Sequence, residues 1–285
     1  MGTPINQITD TAFWIAAFRA RESARPDAVF KDPLAAKLAG EKGAQIIKAT
    51  PQAHLMAFAM VMRTAGIDRL VAMAVQKGVD TVINLGAGLD TRPYRLELPE
   101  SLHWIEVDYP EIINYKNEKL KDDKPVCRLT RISADLSPVP QRKALFSRLA
   151  GDLANALIIT EGLIGYLTTD EAAALAGNLH EIPAFRYWIM DFSQGRAGRR
   201  QRRKRLNKIL KNTPFKFTER NQLGFFEKLG WRSCEIIYIL DQAAHSGRRL
   251  PMAFPWNWLA KIFPRLIRRL ANRTYGYVML ERSPN

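Results

Sequence analysis

The period of the apolar positions changes near residue 79. Before it, apolar residues recur at helical spacing. Thr11 to Ala24 reads as an N-terminal helix, and Pro51 to Val75 as a long one rich in Ala and Met. Between them, Lys31-Asp32-Pro33-Leu34-Ala35 predicts a helix start, with Asp32 as cap and Pro33 in the first helical position. From Val79 onward, short β-branched runs alternate with helix-length polar segments. The strands expected are Val82–Leu85, Trp104–Val107, Cys127–Ile132, Ala156–Thr160, Tyr187–Met190, Cys234–Leu240 and Tyr275–Glu281. This alternation predicts an α/β fold: a doubly wound, seven-stranded, mostly parallel sheet whose C-terminal pair forms an antiparallel edge.

The glycine-containing bend after the first strand is the most specific local feature. Asn84-Leu85-Gly86-Ala87-Gly88-Leu89-Asp90-Thr91-Arg92 places Gly86 and Gly88 where a tight turn and close backbone approach of a ligand are needed. Asp108 ends the next strand twenty residues after Gly88, the spacing at which a carboxylate holds a ribose. A dinucleotide site would carry a third glycine at position 91, and Thr91 argues against NAD or FAD. Asp108, Asp135 and Glu161 each follow a strand, at the edge where open α/β sheets bind ligands. A single such acid is ordinary, because Asp often caps the next helix; three in succession beside a glycine bend favour a binding crevice.

Composition narrows the class. A 47% hydrophobic chain with six tryptophans has the material for a packed core. Cys127 and Cys234 stand alone and the four histidines show no metal-ligand spacing, so neither a metal nor a disulfide framework is expected. That cysteine usage, and an N-terminus without a signal-like apolar run, fit a cytoplasmic protein. No stretch of 18 apolar residues offers a membrane span.

The net charge of +15 is concentrated. Arg196 to Lys211 holds nine basic residues and no acid, and Arg248 to Arg273 holds seven and no acid, which leaves the remainder at −1. The first run lacks interleaved aromatics for base stacking. It reads as a solvated helix face as readily as a phosphate-binding one, so nucleic acid is not favoured as a partner. The second contains Trp256, Trp258 and an apolar stripe from Leu259 to Leu270, interrupted by Pro264. Such a stripe suits core packing or peripheral contact with an anionic membrane.

With these motifs in hand, the chain resembles the class I S-adenosylmethionine-dependent methyltransferases, and more narrowly the leucine carboxyl methyltransferase-like family with its bacterial O-methyltransferases. The resemblance rests on Ala16-Ala17-Phe18-Arg19-Ala20-Arg21-Glu22, Phe30-Lys31-Asp32-Pro33-Leu34-Ala35, Arg63-Thr64, the Asn84–Arg92 bend, Glu106-Val107-Asp108-Tyr109-Pro110, Ala134-Asp135-Leu136 and Thr160-Glu161-Gly162-Leu163-Ile164-Gly165-Tyr166-Leu167. It implies a Rossmann-like fold and S-adenosyl-L-methionine as cofactor. It also implies a single domain comprising an N-terminal helical cap (1–78), a cofactor-binding core (79–195), a basic insertion or lid (196–233) and C-terminal strands with a basic amphipathic insertion (234–285).

The implied roles are as follows. Arg63 grips the methionine carboxylate and Arg19 adds a second contact; Gly86 and Gly88 give backbone approach. Asp108 accepts the ribose hydroxyls, Asp135 and Leu136 take the adenine, and Glu161 meets the ammonium. Read as plain structure, Arg63 would instead pair with Asp68, though five residues is poor helical spacing for it. Asp90 and Arg92 read as a local pair around the turn.

The reaction implied is in-line methyl transfer to a carboxylate or hydroxyl of a small molecule, through alignment and exclusion of water. A hydroxyl acceptor needs a base and a carboxylate does not. Tyr166 is a candidate for acceptor contact and equally a candidate buried tyrosine; no base is assigned. The rival reading is a protein that keeps the fold and binds membrane or nucleic acid through its basic arms.

Overall fold

The computed structural model describes residues 7, 9–50, 53–151, 153–194, 214–251 and 274–284. Its centre is β1 (Thr81–Leu85), buried along its whole length because it pairs in parallel with β2 (His103–Asp108) on one side and β4 (Ala156–Thr160) on the other. Such double burial requires an apolar run without polar alternation, and Thr81-Val82-Ile83-Asn84-Leu85 comes close to one. Outward from the centre lie β3 (Arg128–Ser133) beyond β2, and β5 (Phe185–Ser193) beyond β4. β3 is an edge strand, and its Arg-Leu-Thr-Arg-Ile-Ser sequence is correspondingly part-exposed.

The sheet order is β3-β2-β1-β4-β5-β7-β6. β7 (Tyr275–Arg282) enters antiparallel between β5 and β6 (Trp231–Tyr238). The expected antiparallel C-terminal pair is therefore present, with β6 at the edge and β7 inside. β6 starts three residues before the expected Cys234 and gives way after Tyr238 to a helix (Ile239–His245), where a continuing strand was expected. β5 runs through Asp191 to Ser193, so Asp191 belongs to the strand and does not follow it.

Alternation of side chains divides the core into two layers. Ile83, Ile105, Ile158 and Trp188 face α6 (Val139–Ala150) and α7 (Thr169–His180), which contribute Phe146, Leu175 and Leu179. Val82, Trp104, Leu157 and Ile189 face α3 (Ala53–Gln76), which contributes Ile67, Leu70, Val71 and Ala74. α3 crosses β7 at Gly66, where a Cβ would lie 2.3 Å from the Tyr277 ring.

Two further helices, α1 (Asp10–Ser23) and α2 (Ala35–Lys48), pack Phe13, Trp14, Phe18 and Leu38 against Leu89 and Ile112, covering the carboxyl edge of the sheet. Asp32 does not cap α2, whose first residue is Ala35 and whose N-cap position is Leu34, with no side-chain cap bond. Asp32 is buried instead, as the shared partner of Arg19 and Thr91. The short helices Arg92–Arg95, Pro110–Lys119 and Gln222–Glu227 complete the connections. Both cysteines are free. Among the described residues no helix is long and apolar enough to cross a membrane, and no cluster of His, Cys, Asp and Glu is placed to hold a metal. The run Arg196–Lys211, and the Trp256–Leu270 stripe, lie outside the described residues.

Candidate functional site

A cavity of about 250 Å³ opens where the strands end and α1 and α3 lean over them. Its floor is the bend after β1. Gly86 and Gly88 take positive φ values of 71° and 51°, which L side chains rarely adopt. The bend is stitched to β2: Gly86 N–H donates to the Val107 carbonyl at 2.8 Å and Gly88 N–H to Asp108 Oδ2 at 2.6 Å. Asp108 Oδ1 accepts from the Tyr109 N–H at 2.7 Å. The twenty-residue spacing thus closes as a direct contact. Burial raises the Asp108 pKa above 3.8, against the opposing pull of those two N–H donors and the Lys116 charge. A carboxylate held at this cost binds added hydroxyl donors strongly, since each restores lost solvation.

Beneath the bend lies a layer of alternating charges. Arg92 is buried, with Nε on Asp68 at 2.6 Å and Nη1 within 2.9 Å of both Asp90 and Glu161. Arg95 makes two hydrogen bonds to Asp68, and Asn84 donates to Asp90 at 2.9 Å. Burial alone would raise the Asp90 pKa, but Arg92, followed by Lys116, Arg95 and Arg19, holds it well below the usual carboxylate range. Thr91 stands where a dinucleotide site has glycine. Its hydroxyl donates to Asp32 at 2.6 Å, so here the position fastens the bend to α1 and α2.

At the other end, Glu161 receives Arg63 Nε at 2.8 Å and Arg92 Nη1. Burial works to raise the Glu161 pKa, and the two guanidiniums together lower it. Arg63 is 8% exposed, and Glu161 is its ion-pair partner; its Nη groups lie beside Gly162, on the cavity. Gly162 has φ +70°, and a Cβ there would meet Arg63 Nη1 at 3.2 Å. A planar fork whose Nε is anchored and which lines a cavity is suited to a carboxylate. Asp68, the alternative partner for Arg63, is occupied by Arg92 and Arg95.

Of the residues expected from the sequence, Arg63, Gly86, Gly88, Asp108, Glu161, Arg19 and Tyr166 all line this one cavity. Arg19 also has partners within the chain. Its Nε binds Asp32 at 2.7 Å and its Nη2 binds the Leu89 carbonyl, so these donors fasten α1 to the bend. Asp135 and Leu136 do not line the cavity. Asp135 is exposed, with Oδ1 accepting from the Ser137 N–H at 2.9 Å, and Leu136 packs on the core. Tyr109 and Ile112 line that end instead.

Tyr166 is half-buried against Phe215, ring centroids 4.8 Å apart, and desolvation pushes its hydroxyl up to about 12. It is no proton acceptor at neutral pH. The sequence reading passed over Met56 and Met60, which with Arg63 form one face of α3 at helical spacing. It also assigned nothing to Asp191, which lines the cavity from β5. Asp191 Oδ1 accepts from Gly162 N–H at 2.7 Å and Oδ2 faces the Tyr275 hydroxyl at 3.3 Å.

Comparison with known proteins agrees with this geometry. Residues 12–180 match the model of the leucine carboxyl methyltransferase family. A Streptomyces coelicolor protein, provisionally named an S-adenosyl-L-methionine-dependent methyltransferase, is 34% identical over 185 residues, 60% of this chain and 64% of that one. The chain thus spans less than two thirds of that relative. A Frankia alni protein with the same provisional description is 31% identical over 256 residues, 84% of this chain and 87% of its own. Among solved structures, a protein from Thermobifida fusca described as a methyltransferase on the same provisional footing superposes with a TM-score of 0.60. It is 15% identical, and the match covers 99% of this chain and 96% of that one. A DUF574 family protein from Streptomyces avermitilis superposes at 0.58 with 16% identity, over 94% and 97%. These two show the fold. The family match over more than half the chain, with the Frankia relative along most of it, shows that this chain belongs to the leucine carboxyl methyltransferase family of class I methyltransferases.

Proposed function

We propose that this chain is an S-adenosyl-L-methionine-dependent O-methyltransferase acting on a small molecule. The observation that carries the reading is that the anchored Arg63 lines the same cavity as Asp108. The bound group supplies a methyl carbon made electrophilic by its sulfonium. Everything else is the work of the chain. Arg63 holds the carboxylate and Glu161 the ammonium; Gly86 and Gly88 allow the backbone to approach; Asp108 accepts the ribose hydroxyls. Tyr109 and Ile112 are the residues on hand for the adenine. α1 and α3 lean over the cavity, which would exclude water and limit the directions from which an acceptor oxygen could reach the bound group.

The family match and the names of the relatives support this reading. Titration calorimetry with S-adenosylhomocysteine tests it. Binding in the micromolar range is expected, with Kd raised about 10- to 100-fold by Arg63→Ala, the loss of about one to two charge-assisted hydrogen bonds. Absence of binding to the wild-type chain overturns the reading.

A further inference from the structure

We propose that Asp191 is the proton acceptor for a hydroxyl group on an apolar, ring-bearing substrate, and that Tyr275 orients it; this rests on the methyltransferase reading above. A ligand held by Asp108 on β2 and by Glu161 on β4 runs along the carboxyl edge from β2 toward β4. The cavity extends past Glu161 to β5 and β7, lined there by Asp191, Phe192 and Ser193 of β5 and Tyr275 of β7. Phe215 and Phe217 also line it, Phe217 from within the core. This part of the cavity is the place left for the acceptor.

Its chemistry discriminates between the two acceptor classes. The walls are aromatic: Tyr166 on Phe215, and Phe217 against Phe225 and Phe226. Such walls take a ring. The cations that line the cavity already have carboxylate partners within the chain. Arg92 lies on Asp68, Asp90 and Glu161, and Arg19 on Asp32 and the Leu89 carbonyl. Arg63 is paired with Glu161 at 2.8 Å, and its remaining charge acts on Asp191 and Tyr275. What faces the ring site is the carboxylate of Asp191, held by Gly162 N–H and Tyr275. A carboxylate repels an anionic acceptor and attracts a hydroxyl donor.

Tyr166, with its hydroxyl pushed up to about 12, does not compete for the proton. In the step, the acceptor O–H proton passes to an Asp191 oxygen while the acceptor oxygen forms a bond to the methyl carbon. The carbon–sulfur bond breaks with its electron pair remaining on sulfur, leaving a neutral thioether, a methyl ether and a protonated Asp191.

The test uses the whole chain and two ring probes of one size, 1-naphthol and 1-naphthoate. S-adenosylhomocysteine binding is measured first, and its failure sinks the underlying reading. Given that binding, calorimetry on the loaded protein should show naphthol bound at least about tenfold more tightly than naphthoate, the least that one unfavourable charge contact imposes. Labelled methyl should appear as the base-stable ether.

Asp191→Asn keeps an acceptor for Gly162 N–H. It should lower kcat on naphthol about 100-fold or more, with S-adenosylhomocysteine affinity changed less than about threefold. 4-Nitrophenol, already ionised in mildly alkaline buffer, needs no base and should lose far less. A purely structural role would not separate these two phenols. Tyr275→Phe should show the same pattern more weakly. Naphthoate binding as tightly as naphthol, neither probe binding the loaded protein, no ether forming from bound naphthol, or equal losses on both phenols each overturns the assignment.

Discussion

Asp108→Asn separates the site's binding role from its structural one, because the two respond by very different amounts. Burial sets the folded pKa of Asp108 above its unfolded value of 3.8. Whatever stability the group adds is therefore complete below 3.8 and lost as pH rises through the folded value. At neutral pH the ionised carboxylate weakens the fold. Asparagine removes that charge, but it can accept from only one of Gly88 and Tyr109, losing a hydrogen bond worth about 1 kcal/mol.

These effects oppose each other, so the unliganded melting temperature should move by no more than about 4 °C, at roughly 2–4 °C per kcal/mol. Ligand affinity behaves differently. Two hydroxyl bonds to a carboxylate, at about 1.5–3 kcal/mol each, give way to one neutral bond of about 1 kcal/mol, for a loss of about 2–5 kcal/mol, or roughly 30- to 4000-fold in Kd. S-adenosylhomocysteine at about 100 times the wild-type Kd should stabilise the wild type by about 2.7 kcal/mol, a shift of about 5–10 °C. For a variant binding 100-fold more weakly the same concentration gives about 0.4 kcal/mol, a shift near 1 °C. Differential scanning fluorimetry with and without ligand reads both quantities. A full ligand shift in the variant, or a fall of more than about 10 °C without ligand, refutes the reasoning.

Three other perturbations probe the scaffold. Asp32→Ala leaves Arg19 buried without its ion-pair partner and removes the acceptor of Thr91; a cost of about 3–5 kcal/mol is expected, seen as a melting drop beyond 6 °C. Gly162→Ala strains a residue at φ +70° and crowds Arg63 Nη1; about 1–3 kcal/mol of stability should be lost, with weakened S-adenosylhomocysteine binding by calorimetry. On acidification, Asp90 and Glu161 act together. Both have folded pKa values below their unfolded 3.8 and 4.5, so the stability they add is present above those values and lost as pH falls through the lower, folded ones. Denaturant midpoints should decline below about pH 4.5, and a flat profile down to pH 3 would contradict the charge layer.

What was legible in the sequence was whatever depends on one segment or one regular spacing. Gly88 and Asp108 are bound through a βαβ unit of fixed length, so their separation alone placed them in contact. Asp191 was visible only as an acid near a strand end. That it faces the cavity depends on β7 lying beside β5, which brings Tyr275 to it across 84 residues. Asp32 carried a strong local signal for a helix cap, and long-range partners at positions 19 and 91 overrode it. Asp135 shows the converse: an acid after a strand looked like a ligand contact, but it is exposed, does not line the cavity, and takes a local bond from Ser137 N–H. Met56, Met60 and Arg63 form a face at helical spacing, but an apolar stripe on a long helix reads first as core.

The couple between Arg63 and Glu161 has a consequence for which ligands the cavity accepts. In the free chain the two charges neutralise each other at 2.8 Å in a site shielded from water. A ligand bearing only an anion would draw Arg63 away from Glu161, and one bearing only a cation would do the converse; each leaves a buried charge less compensated. A ligand end that carries both charges adds a partner to each without unbalancing either. Arg92 keeps Glu161 ionised throughout, because its Nη1 stays on the carboxylate from below. On the proposed methyltransferase reading, the charge layer under the bend would thus be part of the selection for a zwitterion, although Arg92 has its bonds to Asp68, Asp90 and Glu161 already made within the protein.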